Sequence, residues 1–370
     1  MWALEKIARH VTDEGVAPAA AAGWAARRER GWRVDATGDD VVFDLASVTK
    51  PMTAVAFARS GLDRRAPLAS VLPELENTRS AHVPLELFLA HRAGLEAHLP
   101  LFEPLVRGGR VDLAEALLTA ANARRAEAVG TPPAEGFAPV YSDMSYMLAG
   151  AALARHVGAR DAGDAIAELV LAPLGITACV GTARQLEAHG VDLTKRAAPT
   201  EVVAWRGGVD GDAVVGRVHD ENCWALTGDG GSGHAGMFGT VRGVLAFGCA
   251  VLDALCPASG GDSLPLLARC GFGARAPLDL TWLVRERPGG TLRAGFDGKS
   301  VEGSSAGARL GPRSFGHLGF TGTSLWIDPD AEVVVALLTN RVCPTRENVA
   351  IRAARPRLHD ALFDLATAAR

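Results

Sequence analysis

Apolar positions along this chain form short runs near both ends and helical repeats in the middle. Apolar residues three or four apart predict a first helix over about residues 2–13. Short apolar runs predict strands at both ends of the chain, near residues 18–26, 31–36, 41–46, 281–286, 291–296, 314–327 and 332–340. A last helical stretch runs to about residue 368, and we expect Pro356 to break it.

The middle of the chain is predicted to be mainly helix and loop. Apolar residues keep the helical period in four segments, over residues 112–122, 143–156, 162–171 and 241–255. Strands at both ends with helices between them predict an α/β (α+β) fold, with one antiparallel sheet built from both termini and flanked by terminal helices. We expect residues 1–60 and 276–370 to form this sheet domain and residues 61–275 to form an inserted, mostly α-helical domain.

Composition narrows the class of protein. The chain has 370 residues, 48% apolar and 22% charged, which is typical of a globular protein. Its net charge of −4 gives no sign of binding to nucleic acid or to an anionic membrane. The chain contains no apolar run of about 18 residues, so its sequence predicts no transmembrane helix. The N-terminus reads as an amphipathic helix and not as a signal peptide, so we expect a cytoplasmic protein.

The cysteines and the metal-capable side chains predict no metal site. The six cysteines show no C-x-x-C spacing and are expected to be buried thiols rather than disulfides or metal ligands. They are Cys179, Cys223, Cys249, Cys256, Cys270 and Cys343. Histidine and acidic residues cluster at 219–223 and 229–234, but their spacing matches no zinc pattern. We expect a loop that is structural or lines a substrate site, and no cofactor.

Ser47 and Lys50 form the most informative motif. An apolar stretch ends at Ser47, where a helical pattern begins, and Lys50 follows three residues later. Residues three apart lie on one face of a helix, so the Lys50 amine can reach the Ser47 hydroxyl. A serine hydroxyl needs such a base to become a nucleophile, and a lysine can act as one if its pKa falls. The alternative is a helix cap beside a solvated lysine.

Two further segments carry candidate chemistry. Tyr141 lies just before a predicted helix that Ser142 or Asp143 would cap, so its side chain is free to point into a cleft. A capped helix with a packed tyrosine is the alternative. Residues 315–329 predict a glycine-containing strand that forms a hairpin with residues 333–340, across a turn at Pro329. Such an edge strand can offer a backbone N–H to an oxyanion, although an ordinary hairpin has the same pattern.

These motifs, in this order, resemble those of the penicillin-recognising serine hydrolases, which comprise β-lactamases, DD-peptidases and related esterases. Tyr-Ser-Asp is similar to the second motif of the class C β-lactamase and esterase branch. His91-Arg92-Ala93-Gly94-Leu95 and the glycine-rich residues 233–240 also resemble family segments. The resemblance covers roughly residues 1–365. It implies a β-lactamase/transpeptidase-like fold with the active site in the cleft between two domains.

The resemblance also implies roles for individual residues. Ser47 would be the acylated nucleophile, and its base would be Lys50 or Tyr141. The choice between these two stays open, because coupled groups titrate as a pair. The backbone N–H groups of Ser47 and Phe320 would form the oxyanion hole. Asp143, His317 and Gly319 would contact the substrate.

Two departures from the family pattern bear on the substrate. Many members carry Lys-Thr-Gly in the third motif, where this chain has His317, and asparagine where it has Asp143. Both changes reduce the positive charge that holds an anionic substrate. We therefore expect an acyl-serine hydrolase of small esters or amides. Its partner would be a small-molecule ester, amide or peptide substrate, and neither nucleic acid nor a membrane. The alternatives are a D-alanyl-D-alanine carboxypeptidase and a non-catalytic ligand-binding relative. The oligomeric state is left open.

Overall fold

The computed structural model describes residues 3–29, 31–206, 212–256 and 278–369. Its strands are β1 (Ala20–Arg28), β2 (Gly31–Thr37), β3 (Phe43–Asp44), β4 (Val180–Gly181), β5 (Phe238–Gly239), β6 (Asp297–Gly298), β7 (Phe315–Leu318), β8 (Ser324–Asp328) and β9 (Val333–Thr339). Its α-helices are α1 (Leu4–Asp13), α2 (Thr49–Arg59), α3 (Leu68–Val71), α4 (Leu85–Leu89), α5 (Glu103–Val106), α6 (Leu113–Asn122), α7 (Asp143–Val157), α8 (Ala162–Ile166), α9 (Ala172–Leu174), α10 (Ala183–Ala188), α11 (Leu193–Arg196), α12 (Glu221–Thr227), α13 (Val241–Leu255), α14 (Thr281–Val284) and α15 (Ile351–Ala368).

The main sheet joins the two ends of the chain, as the strand pattern predicts. Its strand order is β2-β1-β9-β8-β7-β6, and every neighbouring pair is antiparallel. N-terminal β1 pairs with C-terminal β9 along most of its length, with Trp24 opposite Val335. The antiparallel sheet built from both termini is thus confirmed. The short strand β3 lies outside it, in a three-stranded sheet of order β3-β5-β4.

Helices cover both faces of the main sheet. On one face, α1 and α15 bury apolar residues against β1 and β9, among them Ile7, Leu358 and Leu362. On the other face, α13 packs against β1, β8 and β9. Burial of these faces removes apolar surface from water, and this is the main stabilising contribution to the layered arrangement. Helix α13 belongs to the predicted inserted domain, residues 61–275, yet it contacts strands of the main sheet. The division into a sheet domain and an inserted domain stays a prediction, and residues 275–276 at one boundary lie outside the described part of the chain.

Several predicted strands near the C-terminus are wrong. Residues 281–286 contain the short helix α14, and residues 291–296 hold only an isolated bridge from Leu292 to Asp297. The run 314–327 is not one strand, because β7 and β8 are separated by a turn at residues 319–323. Gly322 in this turn has φ +110°, a conformation that glycine adopts without steric cost. Apolar content alone does not separate a strand from such a turn or from a short buried helix.

Pro356 does not break the last helix, contrary to expectation. Helix α15 continues through it from Ile351 to Ala368. Proline removes one N–H, here the donor that would bond to the Arg352 carbonyl in the first turn. The buried face beyond it, with Leu358 and Leu362, stabilises the helix against that local loss. Tertiary packing therefore overrides the propensity of one residue.

Two other predictions concern side chains and membrane spans. Five of the six cysteines lie in the described part of the chain and are thiols, as predicted, but only Cys223 and Cys249 are buried; Cys179, Cys256 and Cys343 are partly buried, and Cys270 lies outside the described residues. No helix in the described ranges has the length and apolar character needed to cross a bilayer.

Candidate active site

Ser47 lies in a single turn of 3₁₀-helix, Ala46–Val48, that leads into α2. Ala46 before it has a φ of +46°, which is rare for a residue with a Cβ. The Asp44 carboxylate accepts a hydrogen bond of 2.7 Å from the Ala46 N–H and one of 2.6 Å from the His219 N–H. These two bonds hold the backbone in place just before the candidate nucleophile.

No motif in the sequence indicates this role for Asp44. Its side chain is only 2% exposed, and burial raises its pKa despite the hydrogen bonds. The strand pairing and the β7–β8 turn enclose it, since Thr321 donates a 2.7 Å hydrogen bond to its carbonyl oxygen.

Lys50 is completely buried beneath Ser47, one helical turn further along. Its ammonium group has three hydrogens and three acceptors. Nζ lies 2.9 Å from Ser47 Oγ, 2.8 Å from Asp143 Oδ1 and 3.2 Å from the His234 carbonyl oxygen. The ammonium form is therefore fully hydrogen-bonded, with no hydrogen left without an acceptor.

Lys50 would have to be a neutral amine to act as a base, but its surroundings favour the charged ammonium form. Burial alone would lower its pKa, but the attraction of Asp143, the interaction with Tyr141 and the hydrogen bonds to both outweigh burial, so the pKa is raised. Burial would raise the pKa of Asp143, but the attraction of Lys50 and the contact with His98 outweigh burial and hold this pKa far below its usual range. In the resting site Lys50 is therefore an ammonium ion that donates to Ser47, not a free amine.

Tyr141 lies in the loop before α7, and the Ser142 side chain caps that helix by accepting from the Ser145 N–H. Its ring stacks on His91 at 4.6 Å between centroids, and the His317 ring lies 5.9 Å away on a tilted plane. Lys50 Nζ is 4.7 Å from the centre of the Tyr141 ring. Burial raises the pKa of Tyr141, although Lys50 lowers it in part, so the resting phenol is protonated.

His317 lies on β7 and is 4% exposed. Its Nδ1 is 2.8 Å from the Leu318 carbonyl oxygen, which only an Nδ1–H can donate to, leaving Nε2 as an acceptor. Burial, and then the positive charge of Lys50, lower its pKa to about 3. The imidazole is therefore neutral near pH 7 and supplies no positive charge at the third motif.

A cavity of about 670 Å³ opens over these residues. The predicted site residues that line it are Ser47, Tyr141, Asp143, His317, Gly319 and Phe320. Lys50 lies below the floor. The backbone N–H groups of Ser47 and Phe320 donate to no other described residue, so both are available to an oxyanion. The structure brings the three motifs together, although Ser47 and Tyr141 are 94 positions apart in sequence and Tyr141 and His317 are 176 apart.

Acidic and histidine side chains form part of the cavity wall. Residues 219–223, predicted as a loop, enter helix α12 at Glu221, and His219, Asp220 and Glu221 line the cavity together with His98. His98 Nδ1 lies 3.8 Å from the Asp143 carboxylate, and the interaction with this carboxylate raises the pKa of His98. Asp220 accepts a 2.8 Å hydrogen bond from His234 and caps α12. Among the described ranges, no three metal-capable side chains come together as a metal site would require. These residues form hydrogen-bonded walls.

Sequence reasoning missed four arginines that also line the cavity. Arg346 pairs with Glu201 at 2.6 Å and with Glu221. Arg341 and Arg355 instead donate to the carbonyl oxygens of Phe320 and Gly319, at 2.7 and 3.0 Å. In the part of the chain that the structure describes, no carboxylate lies within 4 Å of the guanidinium groups of these two arginines or of exposed Arg352. Their positions near the C-terminus gave no motif that could have identified them.

Comparisons with known proteins identify similar sequences and similar folds. A model of the Beta-lactamase family matches residues 5–358. The structure of EstCE1, described as a hydrolase with promiscuous acyltransferase activity, is similar with a TM-score of 0.63 and 19% identity, covering 97% of each chain. A class C beta lactamase from Rhodobacter sphaeroides has a TM-score of 0.63 and 18% identity, covering 98% of this chain and 99% of its own. At these identities the two structures show the fold alone.

A curated relative adds a different name. A putative D-alanyl-D-alanine carboxypeptidase of Salmonella gallinarum is 26% identical over 217 residues. The match covers 55% of this chain and 45% of that protein, so the chain spans about half the length of the curated relatives it matches.

Proposed function

Because this chain belongs to the beta-lactamase family of serine hydrolases, we propose that it hydrolyses small, uncharged acyl esters or amides through an acyl-serine intermediate on Ser47. The observation that carries the proposal is the contact of Ser47 Oγ with buried Lys50, at 2.9 Å, beside a third motif whose only titratable side chain, His317, is neutral. The motif residues therefore favour a carbonyl substrate without a negative charge near the scissile bond.

The proposed reaction has two balanced steps. Ser47 Oγ forms a bond to the carbonyl carbon, its proton passes through the Lys50/Tyr141 pair to the leaving oxygen or nitrogen, and the bond to the leaving group breaks. A water oxygen then attacks the acyl carbon, and its proton returns through the same pair to Ser47 as the acid departs. The backbone N–H groups of Ser47 and Phe320 would stabilise the oxyanion in both steps.

Both proton-transfer groups are protonated at rest, and this has a consequence for the mechanism. Lys50 has no lone pair to accept the Ser47 proton, and the raised pKa of Tyr141 keeps its phenol neutral. One proton must leave the pair before or during attack by Ser47. We therefore propose that the reaction accelerates as the pH rises into the range where the pair first loses a proton.

The test is intact-protein mass spectrometry after exposure to a fluorophosphonate and, separately, to a labelled penicillin. We expect a fluorophosphonate adduct on the wild type and none on Ser47→Ala. Penicillin is expected to acylate slowly or not at all. No adduct with either reagent would contradict the catalytic proposal and leave a ligand-binding relative as the better interpretation.

A D-alanyl-D-alanine carboxypeptidase is the second candidate, and the arginines of the cavity favour it. Arg341, Arg352 and Arg355 place positive charge on the cavity wall that His317 of the third motif does not supply. The name of the Salmonella gallinarum relative points the same way. This candidate predicts a Ser47-dependent penicillin adduct whose formation slows in Arg352→Gln, while hydrolysis of an uncharged ester stays unchanged. The first candidate predicts no such difference.

A further inference from the structure

A second cavity, of about 370 Å³, lies outside the candidate active site. Its wall carries the side chains of Arg79, Arg124 and His82 and an apolar part formed by Val83, Val129 and Pro132. None of these residues lines the cavity above Ser47. Val129 is 72% exposed at this cavity, which makes it one of the more exposed apolar side chains of the described chain.

The two arginines hold each other in place through their backbones. Arg124 Nη1 donates to the Arg79 carbonyl oxygen at 2.9 Å and to the Gly130 carbonyl oxygen at 3.0 Å. Arg79 Nη1 donates in return to the Arg124 carbonyl oxygen at 3.2 Å. These reciprocal bonds fix two like charges side by side at the cavity wall. Preorganised arginines of this kind lose little conformational entropy when they bind an anion.

The positive charge of this pair is not compensated within the described residues. No carboxylate there lies within 4 Å of either guanidinium group, and Arg124 is only 8% exposed. Arg124 Nε and Nη2 are buried without a hydrogen-bond partner in the described part of the chain. The Phe137 ring, 4.6 Å from the guanidinium carbon, provides a cation–π contact. Burial, and then the charge of Arg79, lower the pKa of Arg124.

A buried cation with unused donors costs stability unless something pairs with it. An oxyanion in the cavity would supply the negative charge that is missing. Carboxylate and phosphate groups match the fork of donors on a guanidinium group. The apolar half of the wall would contact a short hydrocarbon body attached to the anionic group.

We propose that this second cavity binds a small organic oxyanion, a carboxylate or a phosphate on a short apolar body, through Arg79 and Arg124. The two arginines pair with the anionic group, and the three apolar side chains of the wall contact the rest of the ligand. Binding here is separate from acylation of Ser47 and does not depend on which substrate the first cavity accepts.

Isothermal titration calorimetry at constant ionic strength tests this proposal, with inorganic phosphate and butyrate as separate ligands. Butylammonium, of the same length as butyrate and opposite charge, is the ligand control and should not bind at this site. Arg79→Gln is the test variant because Arg79 is exposed and its loss leaves buried Arg124 in place. Arg352→Gln removes an exposed arginine of the first cavity and is the matched control.

We expect the dissociation constant of at least one anion to rise about tenfold or more in Arg79→Gln and to stay within about twofold of wild type in Arg352→Gln. The tighter anion distinguishes a phosphate ligand from a carboxylate ligand. Absence of binding by both anions would overturn the proposal. So would binding that Arg352→Gln abolishes and Arg79→Gln preserves, because the anion would then occupy the first cavity. Equal binding by both variants and wild type would overturn it as well.

Discussion

Replacement of Asp143 by asparagine tests the charge state on which the proposed mechanism rests. The Asp143 carboxylate lies 2.8 Å from Lys50 Nζ, and its attraction is the largest effect that raises the pKa of the lysine. Asparagine keeps the size of the side chain and one oxygen acceptor, but it removes the negative charge. Burial, which lowers the pKa of Lys50, would then dominate.

The size of the effect follows from the distance. Two unit charges 2.8 Å apart attract each other by about 6 kcal/mol at an effective dielectric constant of about 20. Partial exposure of the Asp143 side chain, at 20%, reduces this value. Since 1.36 kcal/mol corresponds to one pKa unit, even a quarter of the attraction would shift the titration of Lys50 downward by about one pH unit.

The assay is kcat/KM against pH with an uncharged short-chain p-nitrophenyl ester, corrected for spontaneous hydrolysis. If the rate rises as the Lys50/Tyr141 pair loses a proton, the rising limb should move to lower pH in Asp143→Asn by about one unit or more. Asp192→Asn is the control, because Asp192 also pairs with a lysine at 2.8 Å but lies on the surface. A rising limb that stays in place, or moves to higher pH, would refute the reasoning.

Three further changes test other parts of the structure. A Cβ on Gly319 would lie 2.6 Å from the Leu45 carbonyl oxygen, so we expect Gly319→Ala to lower kcat/KM about tenfold or more by displacing β7 from Ser47; an unchanged value would contradict that close approach. Burial lowers the pKa of His359 to about 3. Between about pH 6.5 and pH 3 the unfolded chain therefore binds a proton at this histidine and the folded protein does not, so the stability of the fold decreases as the pH drops through this range. Urea unfolding of His359→Gln at pH 5, 6 and 7 should show a weaker dependence on pH, by about 1.2 kcal/mol between pH 6 and 5 and by less between pH 7 and 6. Asp44→Asn turns an NH₂ group toward a backbone N–H and should lower the free energy of unfolding by about 1–3 kcal/mol, measured by urea titration at pH 7; an unchanged midpoint would argue against the two carboxylate hydrogen bonds.

Local patterns in the sequence were sufficient where the interacting groups are neighbours in the chain or where the pattern is long. The i, i+3 spacing that predicts contact between Ser47 and Lys50 is confirmed at 2.9 Å, because both residues lie on one face of continuous helical backbone. The longer helices were also predicted within a few residues, including α7 and α13. Apolar runs at both ends were enough to predict a sheet shared by the two termini. Short apolar segments such as residues 281–286 were not predicted correctly, since their pattern fits a strand and a buried helix equally well.

Tertiary structure alone decided the charges of the site. Lys50 is an ammonium ion because a carboxylate 93 positions away lies 2.8 Å from it, and His317 is neutral because it is buried near that ammonium. Ionisation depends on burial and on the charges within a few ångström, and these come from segments that are distant in sequence. For the same reason the arginines of both cavities and the buried Asp44 had no signal in the chain. The sequence by itself determined which groups are present and which neighbours share a helix face, and the fold determined their protonation and their partners.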